Sequence, residues 1–123
     1  MRKLILLGTL LCAMVLSISA SPSRAQNVLW VFSAGNDANP CTQVNPCATF
    51  QGAISKGSVS QINCLNSGNY GAFTITASIT VDCGTGNVGN VAVGAGNAIT
   101  ISAASAATIV IRHLSLNGLG GAA

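Results

Sequence analysis

One stretch, FTITASITVDCG at residues 73–84, limits what this chain can fold into. Apolar and polar residues alternate in Phe73-Thr74-Ile75-Thr76 and again in Ile79-Thr80-Val81-Asp82, around the small pair Ala77-Ser78, and a glycine closes the unit. A period of two marks strands with one buried face. A weaker copy, TIVIRHLSLNG at residues 108–118, follows thirty-five residues later. Two strand-corner-strand units in so short a chain predict a coiled solenoid, in which each turn buries its apolar face against the next.

With 123 residues the chain has room for one domain, less whatever a leader removes. Met1-Arg2-Lys3 is a basic start, residues 4–18 are an apolar run, and Ser23-Arg24-Ala25 is a small-x-small site. Together they read as a secretory signal peptide at 1–25, cut before Gln26. The run is short for a bilayer span, and Leu11 ahead of Cys12 is too large for a lipid-attachment signal. Removing the leader takes Arg2, Lys3 and Arg24, so the formal charge of +3 leaves with it. Lys56 and Arg112 then stand against Asp37 and Asp82, and no basic face for nucleic acid survives. No membrane partner is expected after cleavage.

Export puts Cys41, Cys47, Cys64 and Cys83 where disulfides persist, with three pairings open. Zinc is disfavoured, because only His113 would join them and no close Cys-x-x-Cys pair exists.

Residues 27–33, NVLWVFS, read as a first strand. A turn-rich loop follows, and Asn39-Pro40-Cys41 is echoed as Asn45-Pro46-Cys47. The second copy predicts a helix over 48–55, with Asn45 as N-cap, Pro46 in the first turn, and Phe50, Ala53 and Ile54 on one face. From Gln61 the period becomes two, through Ile62 and Cys64, Ile99 and Ile101, and Leu114 and Leu116. Strands this short and this evenly punctuated lack the crossovers of a doubly wound sheet, which leaves a sandwich or a solenoid. One register places Asn63, Asp82, Thr100 and Asn117 in a single outward ladder, with steps of nineteen, eighteen and seventeen residues. The thirty-five-residue repeat gives another register, and the two are not separable in sequence.

The order of these pieces resembles that of secreted bacterial right-handed parallel β-helix repeat proteins of the pectate-lyase-like fold. GNDANPC, PCATFQGAIS, GNY, FTITASITVDCG and VIRHLSLNG carry the similarity, which runs from about Val31 to the end. It implies an all-β solenoid closed by a short capping helix, with Phe50 and Ile54 on the first coil. It also implies further coils: residues 120–123 show no C-terminal cap, so the fold is expected to be truncated there. The organisation expected is a leader at 1–25, a strand, Cys loop and capping helix at 26–57, and coils at 58–123. Cys64 and Cys83 fall on adjacent strands about 4.8 Å apart in the ladder register, which favours pairing 64 with 83 and 41 with 47.

Catalytic candidates are few. Glycoside hydrolysis needs two carboxylates flanking one bond, and Asp37 and Asp82 lie far apart in sequence with no glutamate to help. The lyases of the fold hold calcium on carboxylates beside a basic residue; Lys56 and Arg112 have no acidic cluster, so no catalytic position carries over. Arg112 and His113 are expected at an exposed corner. No serine sits in a recognisable nucleophile elbow to complete a Ser-His-Asp set with His113, and Asn36, Asp37 and Asn39 suit Asx turns better than calcium. Residues 84–96 are Gly-rich without a phosphate-loop lysine. Trp30 and Tyr70 read as packing residues that are also able to stack on a sugar.

The expectation is a secreted, non-catalytic module without cofactor or metal, associated with polysaccharide or the cell surface. The alternative is the N-terminal part of a polysaccharide lyase or hydrolase whose catalytic coils lie beyond residue 123. A Thr-bearing ice-binding surface around Thr74-Ile75-Thr76 ranks last. The final coil, with Leu114 and Leu116, is expected to self-associate through its open edge. Export of the full chain should yield a product whose N-terminal sequence starts at Gln26; a product retaining Met1 would remove the signal-peptide reading.

Overall fold

Alternating side chains divide the chain into short strands that rarely bury more than one face. The structure, a computed structural model, describes residues 26–118. The expected leader at 1–25 and the tail 119–123, where a C-terminal cap was not expected, lie outside the described residues. Strand β1 (Val28–Val31) precedes helix α1 (Phe50–Ile54). Then follow β2 (Gln61–Cys64), β3 (Gly68–Asn69), β4 (Phe73–Ile75), β5 (Ile79–Asp82), β6 (Gly89–Val93), β7 (Ile99–Ile101), β8 (Ile109–Arg112) and β9 (Leu114–Gly118).

The fold is mostly β, with little helix, and its strands form three sheets. The first has the order β1-β2-β5-β8, the second β3-β6-β9 and the third β4-β7. Every pairing within them is parallel. From β2 onward the chain visits the first, second and third sheets in turn, and then repeats that order.

Register places like on like. Leu29, Ile62, Val81 and Ile111 stack across the first sheet; Phe73 lies beside Ile99 and Ile75 beside Ile101 in the third; Val91 lies beside Leu116 in the second. Each of these side chains that is fully buried, such as Ile62, Val81, Ile75 and Val91, stabilises the fold by about 1.5–3 kcal/mol. Apart from the hydroxyl of Tyr70, no polar or charged side-chain group is buried among the described residues. Cys64 and Cys83 are disulfide-bonded within this interior, and Cys41 is bonded to Cys47, as the sequence favoured; the Cα separations are 4.4 and 4.6 Å.

Burial fades along the stack. Val81, Ile75 and Val91 are at most 1% exposed, whereas their partners Ile111, Ile101 and Leu116 reach 36, 58 and 59%. The other end is closed. Phe50 of α1 packs its ring 4.9 Å from Tyr70 and 5.0 Å from Phe73, and Gln51 Oε1 accepts the N–H of Thr74 on the outer edge of β4. Beside β1, the N–H of Cys47 donates to Trp30 O and that of Phe32 to Cys47 O, at 3.0 and 2.8 Å.

Three expectations are corrected. The helix spans Phe50–Ile54, not 48–55, and its N-cap is Thr49 rather than Asn45. Pro46 and Cys47 cannot enter it, because Cys47 is held extended against β1 by the disulfide and the two backbone bonds. The repeat at 108–118 is not a copy of the unit at 73–84: Ile79 pairs with Ile109, so β8 repeats β5, while β9 repeats β6 and β7 repeats β4. The outward ladder also divides. Asn63 and Asp82 are neighbours, but Thr100 lies beside Thr74 in the third sheet and Asn117 beside Ala92 in the second. The cause is unequal turns. The connectors 65–67, 70–72 and 76–78 of one turn are replaced by the longer 83–88, 94–98 and 102–108 in the next. Cys64 and Cys83 are therefore 19 residues apart, while Thr108, whose N–H bonds to Ser78, is 30 residues beyond it.

Gly89 faces this interior at a point where a Cβ would come within 2.5 Å of Cys83 Sγ and 3.1 Å of Phe50 Cζ. Gly89→Ala should lower unfolding free energy by about 1–3 kcal/mol through overpacking. Gly94→Ala, with open space around it, should change stability by under about 0.5 kcal/mol. Urea unfolding of both variants measures the difference, and equal stabilities would contradict the packing described.

Candidate functional site

Strand alternation sends one polar row outward on the first sheet. Trp30, Asn63, Asp82 and Arg112 occupy successive register positions on β1, β2, β5 and β8. At about 4.8 Å per strand the row runs about 14 Å. Trp30, Asn63 and Asp82 line a shallow depression of about 340 Å³, completed by Cys64, Cys83, Gly84, Thr85 and Asn87.

Second contacts hold each polar group. Gln61 Nε2 donates to Asn63 Oδ1 at 2.8 Å, which leaves the Asn63 Nδ2 hydrogens for a ligand. Asp82 Oδ1 accepts the N–H of Gly84 at 2.8 Å and a bond from His113 Nδ1 at 2.7 Å. Both bonds fall on Oδ1, so Oδ2 keeps its lone pairs. The hydrogen bond from His113, with that from Gly84, outweighs burial and holds the Asp82 carboxyl below its ordinary range, and Arg112 adds to the effect. His113 is 42% exposed, at the one-residue corner between β8 and β9 with φ of 55°. Arg112 ends β8 and is exposed. His113 occupies the corner expected of it, whereas Arg112 is the last residue of the strand before it; the bond to Asp82, thirty-one positions earlier, was not legible in sequence.

The other candidates serve the scaffold. Asp37 Oδ1 accepts the N–H groups of Ala48 and Thr49 at 2.8 and 2.9 Å, and Oδ2 accepts the Thr49 hydroxyl at 2.7 Å. That hydroxyl in turn accepts the N–H of Gly52, and Lys56 Nζ donates to Asp37 O. Burial pushes the Asp37 carboxyl up, but the bonds from Thr49 and Ala48 and the charge of Lys56 bring it below its ordinary value. Asn36 Oδ1 closes an Asx turn on the N–H of Ala38, and Asn39 Nδ2 donates to Pro46 O. These oxygens thus hold the helix start and its loop. Among the described residues no cluster of three or more His, Cys, Asp or Glu is present.

Tyr70 and Trp30, paired in the sequence reading, separate. Tyr70 is fully buried, and its hydroxyl donates to Asn66 O at 2.6 Å; burial raises its pKa, partly offset by Asn66. Trp30 is only partly buried and lines the depression. Thr85 and Asn87 were missed, because nothing in a Gly-rich connector marks which side chains turn toward a strand row. A roomier groove, about 780 Å³, runs along the corner between the third and first sheets, but its walls are small residues such as Ser60, Ala77, Ser78 and Ala107.

No protein-family model, curated protein or solved structure matches the chain. Among the described residues no helix is long and apolar enough to cross a membrane.

Asp37 and Asp82 both ionise more readily folded than unfolded. Their contribution to stability is present above the unfolded carboxylate range near pH 4 and is lost as pH falls through the lower folded values. Thermal midpoints should drop below about pH 4. Asp37→Asn should cost about 1–3 kcal/mol at neutral pH and make that acid drop shallower. Thermal scans of the two proteins across pH check this; parallel acid limbs would remove Asp37 from the account.

Proposed function

We propose that the chain is a secreted module with a right-handed parallel β-helix fold, whose role is non-catalytic binding of carbohydrate or a cell surface. The observation that carries the fold is the cyclic order in which β2 to β9 pass through three parallel sheets. Right-handed crossovers are the strong rule for parallel strands in one sheet. The basic-apolar leader and the two disulfides support export. A polar outer row with one partly exposed indole supports binding, while Asp37 is committed to the helix start and Asp82 stands without a second carboxylate.

Mature protein incubated with a panel of plant and bacterial polysaccharides should be retained on at least one. It should release neither reducing ends nor ultraviolet-absorbing unsaturated products. Product release would turn the assignment to the alternative, a lyase or hydrolase.

The exposed Ile101, Ile111 and Leu116 favour that alternative in one respect. They end the inward columns of all three sheets, so this end is a seat for another layer of strands, parallel if they come from further coils and antiparallel if they come from a second copy. With the opposite end closed by α1, two copies would join end to end and stop at a dimer. Sedimentation of residues 26–123 should show concentration-dependent dimers that Leu116→Lys disperses. A monomer at high concentration that unfolds cooperatively at high temperature would count against the open seat.

A further inference from the structure

The depression on the first sheet combines three kinds of group that seldom meet by accident on a surface poor in charge. Trp30 gives a flat apolar face with a polar edge. Asn63 offers donors, because its oxygen is taken by Gln61. Asp82 offers an acceptor, because its bonds to Gly84 and His113 both use the other oxygen. Asn63 and Asp82 are register partners, so the free donor and the free acceptor stand about one strand spacing apart.

We propose that this depression is a subsite for a neutral sugar, with a pyranose face against the Trp30 indole and adjacent hydroxyls bridging Asn63 Nδ2 and Asp82 Oδ2. The inference rests on the carbohydrate-associated reading of the module and adds the ligand's charge class. A hydroxyl both donates and accepts, which is what a neighbouring carboxylate oxygen and amide require of one ligand. An acidic sugar meets an ionised carboxylate in the wall of the site instead. The carboxylate is kept ionised by its own contacts, and like charges at this range repel. Arg112 does not line the depression; it lies one strand beyond Asp82 and is exposed, where its charge offsets part of that repulsion at the edge of the site.

The geometry also sets a direction. The row crosses the strands, so a bound chain lies along the stacking direction of the sheets. Its extent is bounded near Trp30 by the Cys41–Cys47 loop, whose Cys41 O accepts the N–H of Trp30. A short oligosaccharide fills the row.

The test is retention of the full mature chain in affinity electrophoresis, with hydroxyethylcellulose, galactomannan and arabinogalactan as neutral polymers and polygalacturonate and alginate as acidic ones. Retention on at least one neutral polymer is expected, little changed between low and high salt. Trp30→Ala should weaken it about tenfold or more, and Trp30→Phe should recover part of the loss. Asp82→Asn should shift preference toward the acidic polymers. Thermal midpoints of the variants separate loss of the site from loss of the fold, and Trp30→Phe keeps the question open to decision if Trp30→Ala does not fold. Salt-sensitive retention on acidic polymers alone overturns the neutral subsite and leaves the carbohydrate module standing. So does neutral-polymer binding that survives Trp30→Ala in a folded protein. Retention on no polymer overturns both readings.

Discussion

In-register stacking of parallel strands is the constraint on which the rest of this structure depends. Strands about 4.8 Å apart bring each inward side chain against its counterpart one layer away, so a polar residue in any column would leave itself and its neighbours unsatisfied. The columns Leu29, Ile62, Val81, Ile111 and Phe73, Ile99 obey this. Where a residue with any side chain would not fit, glycine stands: Gly89 passes over the Cys64–Cys83 disulfide and the Phe50 ring. The outer positions are released from the same demand, which is why polar residues and one indole can gather there without loss of stability.

A stack needs closing, and the N-terminal segment closes it with few residues. One carboxylate, Asp37, gathers the N–H groups of Ala48 and Thr49 and the Thr49 hydroxyl. These are donors that a helix start otherwise leaves unpaired. Gly52 is required beneath it, since a Cβ there would collide with the Asp37 carboxylate. The short helix so fixed presents Phe50 to Tyr70 and Phe73, and Gln51 to the backbone of β4. A five-residue helix has little stability of its own. It exists because the stack supplies an apolar seat and Asp37 supplies the cap.

Much of this was legible because alternation and disulfide geometry are local signals. FTITASITVDCG does contain two strands, and Cys64 and Cys83 do face one another. Layer-to-layer register was less legible, because it depends on connector length, and connectors carry Gly, Ser and Asn without a counting rule. The ladder through Asn63 and Asp82 was right for one step, where connectors are short, and failed at Thr100, where they lengthen. The N-cap failed differently: Asn45-Pro46 is a good local start, but a disulfide and two strand bonds at Cys47 outweigh local propensity. The candidate row was half legible. Asn63 and Asp82 could be placed together, whereas Trp30 joins them only through the pairing of β1 with β2 across the intervening loop and helix.

The corner at His113 links the fold to the site. A single residue turns the chain from the first sheet into the second, and it does so in the left-handed region, which costs a non-glycine residue about 1–2 kcal/mol. Glycine would turn there without that cost. The main-chain carbonyl here accepts the N–H of Gly89, at 2.9 Å, as that of any residue would; histidine adds a second, compensating contact, in which its ring reaches back to Asp82. The second contact fixes the carboxylate on one side and frees its other oxygen. The strained corner and the polar row are therefore one arrangement, in which the turn needed to continue the stack also orients the acceptor beside Asn63 and Trp30.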